Sequence, residues 1–320
     1  MENLLEIKDL RTYFYTEDSV IKAVEGLNLS IKKGEVLGLA GESACGKSIT
    51  AYSVMNLISP PGKIVKGEVL FQGQDLLKLS QKQMQKIRGK EISIVFQEPV
   101  ASLNPLYTVG FQIDEMLKTH NKDMNKKSRR KRIIELLENV GIDDAKNRMK
   151  DYPHNFSGGQ AQRVMVAMSL SCNPKLLIAD EPTTSLDVTI QAQIMDLFLK
   201  LRQQIDFTLI LITHNLALCS EVADRVAIMY SGKIVELADR EEIFSNSLHP
   251  YTKALFSSIP KGDSNKTKLK VIEGTVPDPA DKPLGCHFHP RCPFKDKKCT
   301  QAYPGYREVS RNHWVSCYKV

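Results

Sequence analysis

No apolar run in this 320-residue chain approaches the ~20 residues that a membrane-spanning helix needs. The chain therefore cannot form a helical pore by itself. Its first residues, Met1-Glu2-Asn3-Leu4-Leu5-Glu6, lack the basic end and apolar stretch of a signal peptide, so a cytosolic location is expected. No internal repeat is present, which argues for one main domain rather than an array. Short C-x2–4-C knuckles, the usual mark of a structural zinc site, are also absent.

What remains is ordinary in bulk and uneven in detail. Hydrophobic content of 42% and charged content of 25% suit a globular chain long enough to bury a sizeable core. The net charge of +7 is concentrated in two places. Residues 261–320 carry 12 Lys/Arg against 6 Asp/Glu, and residues 118–132 carry 8 against 1. Such patches occur in nucleic-acid binders. The run Lys126-Lys127-Ser128-Arg129-Arg130-Lys131-Arg132 opens an amphipathic helix, however, so a solvated face is the expected reading, ahead of anionic lipid headgroups. Four of the seven cysteines lie in the last 35 residues. In a reducing compartment that clustering favours a metal or cluster over disulfides.

The pattern along the chain is α/β. Residues 4–39 alternate in short runs that suggest antiparallel strands. Val36-Leu37-Gly38-Leu39-Ala40 is a continuous apolar run, the mark of a buried strand, and a helix is expected near residues 49–57. Further strands are expected at residues 68–71, 92–96, 176–179 and 208–212, with a last pair at 225–230 and 233–236 joined by Ser231-Gly232. Between about 108 and 172 the pattern is helical, with Ile133, Leu136, Leu137 and Val140 on one face. Strands alternating with helices imply a parallel sheet with crossovers. Residues 261–270 read as a polar linker, dividing a main domain (1–260) from a small cysteine-bearing tail (261–320).

Gly41-Glu42-Ser43-Ala44-Cys45-Gly46-Lys47-Ser48 fits G-x-x-x-x-G-K-[ST] between an expected strand and helix. Successive backbone N–H groups wrap a β-phosphate there, and the helix start, from Ile49 onward, adds partial positive charge. Lys47 would bridge β- and γ-phosphates, and the Ser48 hydroxyl would ligate Mg²⁺. A buried strand carries Asp180 to its carboxyl end, where it would hold Mg²⁺, and Glu181 follows as a candidate general base. Gln97 follows another strand and offers a side chain for Mg²⁺ and the attacking water. His214 ends a further buried strand, placed to hydrogen-bond a γ-phosphate. A lone Gln or His at such a place is more often structural.

In this order the set resembles the ABC-type ATPases, over about residues 4–260. The resemblance assigns Gln97 to the Q-loop, Phe156-Ser157-Gly158-Gly159-Gln160 to the signature, Ser185-Leu186-Asp187 to the D-loop and His214 to the switch histidine. It implies a P-loop NTPase fold with a RecA-like core, an antiparallel β subdomain and a helical subdomain. It also implies head-to-tail pairing, in which Ser157, Gly158, Gly159 and Gln160 of one domain close on ATP held by the other. An early aromatic is expected to stack on adenine: Phe14, with Tyr13 and Tyr15 as rivals. Phe156 stands where Leu is usual, and Ala44-Cys45 replaces Gly-Ser. Cys45, among N–H donors, is a candidate low-pKa, oxidisable thiol.

His249-Pro250-Tyr251-Thr252 is similar to an element of the ATPases that serve peptide and nickel importers, and the tail cysteines resemble that branch too. The resemblance implies a [4Fe–4S] cluster on Cys286, Cys292, Cys299 and Cys317. Zinc is the alternative, with His287, His289 or His313 substituting. The implied partners are two transmembrane permease subunits, a second related ATPase subunit (or a second copy) and, indirectly, an extracellular substrate-binding protein. The implied place is peripheral, on the cytoplasmic face of the membrane, and no nucleic acid is expected. The alternative function is a non-transport ABC ATPase acting on nucleic acid or the ribosome. The ~110 residues between phosphate loop and signature are too few for a long coiled coil, which weighs against it.

Overall fold

The computed structural model describes residues 2–184, 186–258 and 272–320, with the backbone alone for Val100. The linker expected at 261–270 and Ser185 of the D-loop lie outside the described residues. In chain order the strands are β1 (Asn3–Tyr15), β2 (Val20–Lys32), β3 (Val36–Ala40), β4 (Gly62–Phe71), β5 (Gln74–Asp75), β6 (Ile92–Val95), β7 (Leu176–Asp180), β8 (Thr208–Thr213), β9 (Arg225–Tyr230), β10 (Lys233–Asp239), β11 (Arg307–Ser310) and β12 (His313–Val315). The chain divides into two compact units, residues 1–78 with 213–320 and residues 79–212.

In the first unit β1 is the middle of an antiparallel sheet, paired with β2 on one side and β4 on the other. Leu5, Leu10, Leu27 and Ile31 are buried, and a register irregularity in β1 between Ile7 and Leu10 interrupts its strict alternation. β3 pairs parallel to β9, and β9 returns antiparallel into β10 through Ser231 and Gly232. Both turn residues have positive φ, 44° and 82°, the geometry of a tight two-residue hairpin. The tail adds β12 to the free edge of β10, with Glu236 opposite Val315 and Leu237 opposite Trp314. β11 then pairs with β12.

In the second unit β6, β7 and β8 are parallel neighbours, in register at Ile92, Leu176 and Thr208. Leu176, Leu177 and Ile178 are completely buried, each contributing about 1.5–3 kcal/mol relative to exposure. That continuous burial is why the strand reads as an unbroken apolar run. The helix Lys126–Asn139 buries Ile133, Leu136 and Leu137 and leaves Lys126, Lys127, Arg130 and Lys131 in solvent. Exposure of these basic side chains is what a solvated face requires. The helix Val188–Gln204 buries Ile194, Leu197 and Leu201 in the same manner.

Candidate nucleotide site

The phosphate loop belongs to the first unit and joins β3 to the helix Lys47–Val54. Two of its glycines are required sterically. A Cβ on Gly41 (φ 154°) would lie 2.2 Å from the Met229 carbonyl oxygen, and one on Gly46 (φ 106°) would lie 2.5 Å from that of Ala23. Both obstacles are backbone, so neither can yield. Ala44, where glycine is common, is held at φ 60° in the left-handed region. That conformation costs an alanine about 1–2 kcal/mol, a local strain of the kind found at functional loops. Lys47 is buried, and its ammonium donates to the carbonyls of Gly41 (2.8 Å) and Glu42 (3.0 Å). The Glu42 N–H in turn donates to the Tyr251 hydroxyl at 3.0 Å. Ser43 and Ala44 are exposed, and Ser48 and Ile49 are half-buried at the helix start.

Cys45 differs from expectation. Its side chain is 1% exposed, and burial pushes the thiol up from its ordinary value, which outweighs the nearby Lys47 charge. The low-pKa, oxidisable reading is therefore corrected: the sulfur faces the packed underside of the loop. Phe14 sits in β1 opposite Gly62, where a Cβ would lie 2.6 Å from the ring. Tyr15 is exposed with Lys63 over its ring, and Tyr13 is half-buried. His214, also in the first unit, is exposed just after β8.

In the second unit the structure brings Gln97 and Glu181 together. Gln97 Nε2 donates to Glu181 Oε2 at 3.2 Å, and the Thr184 hydroxyl donates to the same oxygen at 2.8 Å. Glu181 has φ 46°, and its N–H bonds the Ile212 carbonyl at 2.9 Å, so the residue turns sharply off the end of β7. Asp180, one position earlier, is 1% exposed. Thr184 was missed by sequence reasoning, although its three-residue spacing from Glu181 is a turn-like signal.

Ser157 caps the helix Gly158–Ser169 in a reciprocal box: its hydroxyl accepts from the Gln160 N–H, and Gln160 Oε1 accepts from the Ser157 N–H. Ser157, Gly158 and Gln160 are exposed and Gly159 is half-buried, so this helix start faces solvent. Phe156 is buried beneath the Arg148 guanidinium, 4.2 Å from its ring centre. Arg148 also donates to Gln160 Oε1 at 3.3 Å. Asp187 caps the helix Val188–Gln204 by accepting from the Ile190 N–H at 3.0 Å.

The tail belongs to the first unit. His249 caps the helix Pro250–Ser257 through Nδ1, which accepts from the Tyr251 N–H. Buried Glu236 accepts from the N–H groups of Leu248 and His249 and lies 2.7 Å from His313 Nε2. Cys286, Cys292, Cys299 and Cys317 line one cavity of about 10 Å³, together with Phe288, His289, Pro304 and Lys319. Burial raises the thiols of Cys286 (to about 11), Cys292 and Cys317. Among the described residues, however, no group of three or more His, Cys, Asp or Glu is arranged to hold a metal ion. The side-chain geometry thus does not carry the metal expectation. Two of the three histidines named for zinc are also engaged elsewhere. His287 Nδ1 lies 3.1 Å from the Ser231 carbonyl, and His313 lies on Glu236. Of the three, His289 lines the cavity, and its Nδ1 lies 2.9 Å from the Cys286 carbonyl.

The profile of the ABC transporter family matches residues 24–184, and that of the oligopeptide/dipeptide transporter C-terminal region matches residues 235–299. The chain is 47% identical to the dipeptide transport ATP-binding protein DppD of Bacillus subtilis, over 99% of this chain and 95% of the relative. It is 49% identical to the oligopeptide transport ATP-binding protein AppD of the same organism, over 99% and 97%. DppD of Escherichia coli is 45% identical over 98% and 96%. Among solved structures, a dimeric post-hydrolysis form of the ATP-binding cassette MJ0796 with ADP and phosphate superposes with a TM-score of 0.67 at 28% identity, covering 74% of this chain and 98% of that one. CbiO1 of Clostridium perfringens superposes with a TM-score of 0.66 at 28% identity, covering 77% and 92%.

Proposed function

Because the chain belongs to the ABC transporter family and carries the C-terminal region of its oligopeptide/dipeptide branch, we propose that Glu181, steadied by Gln97 and Thr184, is the base of its ATPase cycle. The chain is the ATP-binding subunit of a peptide importer, an ATPase that dimerises and works with membrane permeases. The fold is that of an ABC ATPase. No described helix is long and apolar enough to cross a membrane.

In the proposed division of labour, residues 41–49 cradle the phosphates and Lys47 bridges β and γ. Phe14 stacks on adenine. Ser48, Gln97 and Asp180 hold Mg²⁺, which neutralises phosphate charge when bound. Glu181 takes a proton from the attacking water, and His214 holds the γ-phosphate. Ser157, Gly158, Gly159 and Gln160 close on the partner's ATP, with Asp187 at the same interface. Loss of the γ-phosphate removes a ligand with differential affinity for the closed state, and the dimer opens. The paired donors on Glu181 Oε2 carry this reading, because they leave a carboxylate fixed beside buried Asp180.

The finer partner set follows the same reading: two permease subunits, a related second ATPase and, indirectly, an external binding protein, with the chain peripheral on the cytoplasmic face. A cluster of the [4Fe–4S] type would be held by Cys286, Cys292, Cys299 and Cys317 as a structural group. The presence of all four thiols in the lining of one cavity is what supports that donor set, and the busy His287 and His313 weigh against zinc. Anaerobically purified protein is then brown; colourless protein with stoichiometric zinc overturns this point. The nucleic-acid and ribosome alternative is not favoured, since the relatives reported above are named for peptide transport. The function is tested in vesicles holding the chain with its permease subunits. ATP-driven uptake of a labelled dipeptide that disappears with Lys47→Ala supports it, and uptake indifferent to that change overturns it.

A further inference from the structure

The tail reaches back to the phosphate loop through one side chain. Arg291 precedes Cys292, and its side chain is 4% exposed. Its fork is bidentate on Glu42: Nη1 donates to Oε2 at 2.9 Å and Nη2 to Oε1 at 3.2 Å. The other donors are also committed. Nε donates to the Glu273 carbonyl at 3.0 Å, Nη2 to the Ile272 carbonyl at 3.3 Å and Nη1 to the Tyr230 hydroxyl at 3.4 Å. A planar guanidinium with this many fixed partners has one orientation, which a lysine ammonium does not reproduce.

Glu42 is the second residue of the phosphate loop, and its backbone is committed on both sides. Its N–H is held by Tyr251, and its carbonyl, beside that of Gly41, receives the Lys47 ammonium. Gly41, just before it, has φ 154°, a backbone conformation that glycine adopts readily. Two of the groups that hold this residue come from far along the chain: Tyr251, 209 residues away, on its N–H, and Arg291, 249 residues away, on its carboxylate. Both lie in the segment after the last core strand pair.

We propose that Arg291 is a positioning residue for ATP binding: through Glu42 it holds the Gly41 and Glu42 carbonyls where they seat Lys47, and so aims that ammonium at the phosphates. The tail is then part of the phosphate site. This rests on the reading of residues 41–48 as the ATP loop.

The test is the Kd of the purified full chain for a fluorescent MgATP analogue, with nucleotide-free thermal melting as the measure of folding. Arg291→Met and Glu42→Gln are each expected to weaken binding about tenfold, as small misplacements at reacting groups do. The double variant should be no weaker than the worse single, because both remove one linkage. Arg291→Lys should fall between. An unchanged Kd in folded Arg291→Met overturns the proposal, as do additive effects in the double variant. A purely structural arginine would lower the melting temperature and leave the Kd alone. If Arg291→Met does not fold, Arg291→Lys decides: weakened binding supports the proposal and wild-type binding overturns it. Lys47→Ala separates the premises. Undiminished binding there overturns the ATP-loop reading and this proposal with it.

Discussion

Gln97 and Glu181 lie 84 residues apart in sequence, yet the Gln97 amide donates to the Glu181 carboxylate at 3.2 Å. The same oxygen accepts the Thr184 hydroxyl, so two neutral donors fix one rotamer of the candidate base.

Glu181→Gln keeps the shape of this arrangement and removes the proton acceptor. Its ATPase rate should fall about 10²–10⁴-fold, with MgATP affinity within a few-fold of wild type. Thr184→Val removes one donor and should lower the rate by a smaller factor, about tenfold. Single-turnover hydrolysis checks both, and a Glu181→Gln rate near wild type would remove Glu181 from the mechanism.

The loop glycines and Ala44 should respond in opposite directions. Gly46→Ala drives a Cβ to 2.5 Å from the Ala23 carbonyl, so MgATP binding should be lost along with at least ~2 kcal/mol of stability. Ala44→Gly relieves the left-handed backbone at φ 60° and should stabilise by ~1 kcal/mol or less, since glycine loses more entropy on folding. Calorimetric melting of the two variants measures the contrast.

Cys45 should be inert in the native protein. Burial raises its thiol, so the folded chain keeps it protonated where an unfolded thiol begins to ionise. Its share of stability is present at low and neutral pH and is lost as pH rises beyond the ordinary thiol range. Alkylation by iodoacetamide at pH 7.5, mapped by mass spectrometry, should spare Cys45 until denaturant is added. Rapid native labelling would contradict this burial-based account.

His249 sets an acid limit. Burial lowers its imidazole to about 3 from the ordinary 6.5, and burial similarly lowers His287 to about 4. The folded chain keeps both neutral, while the unfolded chain takes up protons below about pH 6.5. Stability is therefore full above that pH and falls as pH drops towards 3. His249→Asn retains an N-cap acceptor and should flatten the decline between pH 6.5 and 4 in urea melts, although it lowers stability at pH 7. An unchanged slope would show that His249 is not the group responsible.

The local features were legible from sequence because short-range physics decides them. The strand Val36–Ala40 is found with the expected bounds, and the 225–230 and 233–236 pair is found with its Ser231-Gly232 turn, β10 running on to Asp239. Apolar runs and turn residues report burial and φ within a few positions of themselves. The phosphate loop and the Ser157 cap were visible for the same reason. The expectation for Cys45 failed because it counted nearby N–H donors and Lys47. Desolvation of a thiol depends on everything packed around it, which neighbours in sequence do not reveal.

The order of motifs along the chain thus determined the ATPase and its branch, since backbone N–H cradles and strand-end acids are built from contiguous residues. Only the tertiary structure decided what surrounds those motifs. It put Thr184 on Glu181, turned His287 and His313 away from the tail cavity, and set Arg291 on Glu42 across 249 positions. Such pairings arise from burying charged and polar groups together. The energy of doing so depends on which distant segments exclude water at the same point, and no local pattern encodes that.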